Sequence, residues 1–152
     1  MSIQSNKETE AIRDQAKTFL EDHKKMILTI LDKDGYPNSS LMLYAVDGFT
    51  IYFGTCESFG KYKALSANPH VAVAVVQEGI DPLQVLDMQG VVEEVPKEDV
   101  RERLEWFTSK NTAKYYIKDA PDYVMFKITP TCIRWLDAMT GDLQICDIDV
   151  PS

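Results

Sequence analysis

The stretch from Asp47 to Val76 constrains the fold most. It reads DGFTIYFGTCESFGKYKALSANPHVAVAVV. Asp-Gly at its start is a hairpin signal, and Phe49 to Gly54 has the β-branched and aromatic content of a strand. Thr55-Cys56-Glu57-Ser58 follows as a hydroxyl-bearing corner, then a short basic segment stopped by Asn68-Pro69, then a second apolar strand from Val71 to Gln77. A segment this short, wedged between two strands, can only be a small helix crossing from one part of a sheet to another. Its N-terminus would offer unpaired N–H groups and a partial positive charge to an anion. Ser58 is the expected N-cap, Thr55 adds a hydroxyl, and Lys61 stands one turn in.

The flanking sequence repeats the theme of short strands between turn signals. Met26 to Leu31 is apolar and runs into Asp32-Lys33-Asp34-Gly35-Tyr36-Pro37, a strong turn. Ser39 to Val46 reads as the next strand. After a loop from 78 to 82, a long strand spans Leu83 to Val95, with a change of phase expected at Met88-Gln89-Gly90. Tyr123 to Ile128, Cys132 to Ala138 and Leu143 to Asp147 complete the strands.

Three helices lie outside this pattern. Ser5 to Glu8 has the form of a capping box and predicts a helix from about residue 6 to His23, with Ile12, Ala16, Phe19 and Leu20 on one stripe. The short basic segment after Ser58 is the second. The third begins at Pro96, with Val100, Leu104 and Phe107 as its apolar face, and 109 to 120 reads as loop or turn. Together these elements predict a mainly β fold in one domain spanning 1–152, a six-stranded antiparallel β-barrel with peripheral α-helices or, as the alternative, an open α+β sheet.

Composition narrows the function. The formal net charge of −8 disfavours nucleic acid or an anionic membrane as partner, and no apolar run approaches the roughly 18 residues of a membrane span. The start of the chain does not read as a signal peptide. Cys56, Cys132 and Cys146 are too few and too scattered for a disulfide framework, so a cytoplasmic location is expected. With His23 and His70 the only histidines, no metal site is expected.

The order strand, turn, strand, T-x-x-S-x-x-K, helix ending in Asn-Pro, then V-x-V resembles the pyridoxamine 5′-phosphate oxidase-like family of FMN-binding split barrels. That family includes oxidases, general-stress proteins and flavin reductases. The resemblance implies a homodimer holding FMN at the subunit interface. Ser39, Leu41 and Met42 would face the ring and ribityl chain. Gly54, Thr55, Ser58 and Lys61 would lie at the phosphate end, and Gln89 and Trp135 would reach the flavin from the other subunit.

The oxidases carry arginine at the position of Ser39, lysine at that of Tyr44, and a basic residue at that of Gly60. The resemblance therefore leaves three alternatives for this chain: FMN bound loosely through Lys61 and hydroxyls, Lys63 or Arg134 as a substitute cation, or a pocket that has lost FMN. The arginine-rich C-terminal substrate motif of the true oxidases is missing, which points to the general-stress and flavin reductase branch. No residue stands out as catalytic. The reading is an FMN-dependent oxidoreductase acting on a small-molecule substrate or nicotinamide donor. The alternatives are a non-catalytic module holding FMN or haem in the same pocket, and a ligand-free dimer that keeps the barrel as scaffold.

Overall fold

The computed structural model describes residues 2–79 and 81–150; residue 80 of the expected 78–82 loop and the chain's extreme ends lie outside them. In chain order the elements are β1 (Ile3–Asn6), α1 (Glu10–Asp22), β2 (Lys25–Leu31), β3 (Pro37–Leu43), β4 (Ala45–Asp47), β5 (Thr50–Cys56), α2 (Gly60–Ala67), β6 (His70–Val76), β7 (Gln84–Glu94), α3 (Lys97–Lys110), β8 (Tyr123–Asp137) and β9 (Leu143–Ile148). Six of these form an antiparallel series β3-β2-β6-β7-β8-β5. The series curls but does not close, since β3 and β5 are not paired with each other. This is the split barrel that the family resemblance implies, and it settles the choice against a plain open α+β sheet. The short strands β1, β4 and β9 bring the sheet to nine strands, with β1 parallel to β9.

Alternation places the core inside the curl. Met26, Leu28 and Ile30 of β2, Val71, Val73 and Val75 of β6, and Leu86, Met88 and Val92 of β7 all join one cluster with Phe19 and Leu20 of α1 and Leu65 of α2. A second cluster lies outside β5 and β8, beneath α3, and contains Tyr52, Met125, Val95 and Phe107. Strand β5 is therefore buried on both faces.

Four details differ from the sequence reading. Ser5 belongs to β1, and α1 is capped instead by Thr9, whose hydroxyl accepts the Ile12 N–H at 3.1 Å. Glu8, the expected return arm of the capping box, takes the Asp149 N–H and pairs with Arg13 at 3.0 Å. The predicted strand from Ser39 to Val46 breaks at Tyr44. There the backbone N–H donates to Lys24 O at 3.1 Å and the hydroxyl to Leu20 O at 2.6 Å, and the chain switches from pairing with β2 to pairing with β5. The irregularity at Gln89-Gly90 is present, but the extra residue is Thr131 on the partner strand. The inward phase of β7 continues through Leu86, Met88, Gly90 and Val92, while that of β8 shifts between Pro130 and Ile133. A Cβ on Gly90 would meet Thr129 O at 2.6 Å, so only glycine lets β8 close on the bulge. Finally, α3 continues to Lys110, into the segment expected to be loop.

Candidate functional site: the free edge of β3 and the corner after β5

Strand β3 is the last of the antiparallel series, so one of its edges keeps unpaired backbone N–H and C=O groups. Such an edge can hydrogen-bond the polar rim of a flat ligand as it would another strand. Its side chains alternate. Ser39 and Leu41 point outward, Leu41 with 63% exposure, whereas Met42 lies opposite Met26 and packs against the barrel core. The three residues expected to face a ring together are thus split between two faces. The Ser39 hydroxyl is already bonded to that of Thr29, at 2.8 Å.

Register extends the outward face across the sheet. Ser39, Thr29, Ala72, Gln89 and Cys132 form one row, and Leu41, Ile27, Ala74, Asp87 and Arg134 the next. Small and apolar residues dominate its middle, and Ile27, Leu41 and Val76 are 40%, 63% and 51% exposed. Two shallow depressions of about 270 and 500 Å³ share Thr29, Ala72 and Gln89. Gln89 stands three strands from Ser39, about 14 Å at ordinary strand spacing. It cannot serve the β3 edge of its own chain. Trp135 points the other way: it is 2% exposed, packs on Phe19 with centroids 4.9 Å apart, and its indole N–H reaches Gln15 Oε1 at 3.4 Å. It is a core residue, held there because the Thr131 bulge resets the phase of β8.

The corner after β5 is tighter than expected. Ser58 is not the N-cap of α2; that position is Phe59, with no side-chain cap bond. The Ser58 N–H donates to Asp122 Oδ2 at 2.9 Å, and the Glu57 N–H to Asp122 O at 3.0 Å. The chain's own carboxylate thus takes one N–H of the corner that was expected to attract an external anion, and the Asp122 carbonyl takes another. Hydrogen bonds from Ser58 hold the Asp122 carboxyl below the usual carboxylate range. Nothing local announces this, because Asp122 lies 64 residues from Ser58.

Gly54 and Cys56 face the α3 side of β5. A Cβ on Gly54 would collide with the hydroxyls of Tyr115 and Tyr123, which bond each other at 3.1 Å. Cys56 is 2% exposed, and burial, then Asp122, pushes its thiol up; it is a filler, not a nucleophile. Thr55 is also 2% exposed, so its hydroxyl offers almost no surface.

Lys61 is different. It is the second residue of α2, half-buried, and its pKa is lowered by desolvation. Among the described residues no carboxylate forms an ion pair with it. The helix that carries it packs on both β2 and β5. A partly desolvated cation without a counterion is what an incoming phosphate would find. Of its proposed substitutes, Lys63 is exposed, and Arg134 is bound to Asp147 at 2.9 Å on the outward face. Tyr44, at a position where the oxidases carry lysine, is 1% exposed and committed to Leu20.

The family model for pyridoxamine 5′-phosphate oxidase matches residues 12–136. The chain belongs to this family. Solved structures agree. A candidate pyridoxamine 5′-phosphate oxidase of Listeria innocua is 27% identical with a TM-score of 0.68, covering 82% of this chain and 97% of its own. An F420 reductase is 26% identical with a TM-score of 0.65, covering 77% and 94%. A heme binding protein of Mycobacterium smegmatis shares the fold at 18% identity and a TM-score of 0.71; the match covers 84% of this chain and 55% of that one. No curated protein matches. Members of this family commonly bind flavin nucleotides and act as dimers. No helix among the described residues is long and apolar enough to cross a membrane.

Proposed function

We propose that the chain is an FMN-binding oxidoreductase of the flavin reductase and general-stress type, active as a homodimer. The observation that carries this reading is a free β3 edge together with an uncompensated, half-buried lysine on the helix that packs on β2 and β5. The ring end fits well. The unpaired backbone groups of β3 would hold the polar part of the flavin, and Leu41 would supply apolar surface. The phosphate end is lean, because Thr55 is covered and Asp122 occupies the Ser58 N–H, so Lys61 carries most of the charge recognition.

Gln89 completes the site from a second copy. The outward face, with Ile27, Leu41, Ala72, Ala74 and Val76, is an apolar surface of the kind that dimers cover. Laying two such faces together brings each Gln89 across to the partner's β3. When bound, FMN supplies hydride and electron transfer. The protein binds it, orients its ring and shields it from water.

The test is optical and hydrodynamic. Protein reconstituted with FMN and desalted should keep a blue-absorbing flavin band and elute at twice the chain mass. A preparation that binds haem and gives a Soret band would favour the carrier reading, and one that binds neither would leave only a scaffold. A monomer that binds FMN would refute the role of Gln89.

A further inference from the structure

A second cavity lies away from β3 and Lys61, between α3 and the outer face of β5 and β8. Its volume is about 360 Å³. Asp99, Glu102, Arg103 and Trp106 fall at i, i+3, i+4 and i+7 and so share one face of α3. Tyr52 and Lys127 stand opposite each other in the β5–β8 ladder beneath them.

Arg103 is the informative residue. Asp99, one turn before it, would be its ordinary ion-pair partner, yet Arg103 forms no ion pair among the described residues. Its guanidinium lies instead over the rings of Tyr52, at 4.6 Å, and Trp106, at 5.0 Å, which themselves meet edge to face at 5.2 Å. Rings that hold a guanidinium by its face leave its N–H edge free and fix its direction. A docking carboxylate then loses little entropy on ordering it.

Lys127 adds a second cation, loosely paired with Glu93 at 3.6 Å. Asp99 and Glu102 also form no ion pair among the described residues. The cavity therefore joins cations, carboxylates and an aromatic floor. A simple anion would meet two carboxylates, and a simple cation would meet Arg103 and Lys127. Only a zwitterion satisfies both. The volume lies at the low end of ligand sites, about 300–1,000 Å³, which suits an amino acid better than a nucleotide.

We infer that this cavity binds a free aromatic α-amino acid, its carboxylate on Arg103, its ammonium toward Asp99 and Glu102, and its ring against Trp106. The test is a titration of the full chain with L-phenylalanine followed by ¹⁵N NMR. 3-Phenylpropanoate, which lacks the ammonium, and phenethylamine, which lacks the carboxylate, serve as truncated probes. Phenylalanine should give saturable shifts along α3 and at Tyr52, with both truncated probes at least about tenfold weaker, one decade in Kd. Arg103→Gln should weaken phenylalanine by a similar factor. Absence of saturable shifts up to about 10 mM, the weak end of specific binding, would overturn the inference. So would phenylpropanoate binding as tightly as phenylalanine, or Arg103→Gln binding unchanged. The truncated probes decide the matter on the native chain even if the variant fails to fold.

Discussion

Strands β3 and β5 each have seven residues and border the same seam, yet their surroundings are opposite. No residue of β3 is buried, whereas six of the seven in β5 are. The difference lies in what each strand turns its faces to. β5 is sandwiched between the barrel core and the cluster beneath α3, while β3 has a core on one side only and a bare edge. One strand is scaffold and the other is available for binding. The apparent anion corner belongs mostly to the scaffold, since Asp122, Tyr115 and Tyr123 fill it from a distant part of the chain.

The contrast can be broken most forcefully at Gly54. Replacing it with valine drives a side chain into the Tyr115 and Tyr123 hydroxyls, and overpacking of this kind costs about 2–3 kcal/mol. The thermal midpoint should fall by roughly 4–12 °C at this chain length. Leu41→Ser on β3 should leave monomer stability within about 0.5 kcal/mol, as at other exposed sites, while loosening FMN and the dimer. Equal destabilisation by both changes would erase the distinction between the strands.

Asn111→Ala ranks next. The Asn111 amide donates to Lys24 O at 2.9 Å and Tyr44 O at 2.8 Å, pinning the point where the chain leaves β3 for β4. Stranding these carbonyls should cost about 2 kcal/mol, read by urea denaturation.

How much of this was legible in the sequence follows from distance along the chain. The strands, the turns at Asp32 to Pro37 and at Asp47-Gly48, and the stop at Asn68-Pro69 are encoded within a few residues, and the structure has them. Three features were misread because their partners are remote. Ser5 pairs with Ile145 rather than capping a helix, Ser58 meets Asp122, and the bulge displaces β8 rather than β7. Of the candidate residues, the place of Lys61 early in the helix after β5 was legible from the motif, whereas the split of Ser39 and Leu41 from Met42 across the two faces of β3 was not taken from its alternation. Trp135 was placed on the wrong side because the phase of β8 shifts at Thr131, which no alternation within β7 could reveal.

Two pH dependences sharpen the picture at smaller amplitude. The Lys61 pKa is depressed by burial, so the unfolded state binds that proton more tightly. Its contribution to the stability of the ligand-free chain therefore rises with pH until the ordinary lysine value of about 10.4 is passed. A bound phosphate needs the charged form, so FMN affinity should fall over the alkaline range in which Lys61 loses its proton. A Kd series should show this decline, and Lys61→Gln should flatten it. Asp122 gives a slope of the same sign, but in acid rather than in alkali. Its folded pKa is lowered, so its stabilisation is present above the ordinary aspartate range and is lost as acid brings the pH through the folded value. Asp122→Asn should remove that part of the acid limb in a stability–pH curve.

The central claim, a flavin lying on β3 with its phosphate held chiefly by Lys61, is tested most directly by comparing FMN with riboflavin, which lacks the phosphate, on the native chain and on Lys61→Gln. The native chain should prefer FMN by about tenfold or more, consistent with one charged hydrogen bond of about 1.5–3 kcal/mol, and the variant should bind the two flavins nearly equally. Retention of the full FMN preference by Lys61→Gln, or no binding of either flavin by the native chain, would contradict it.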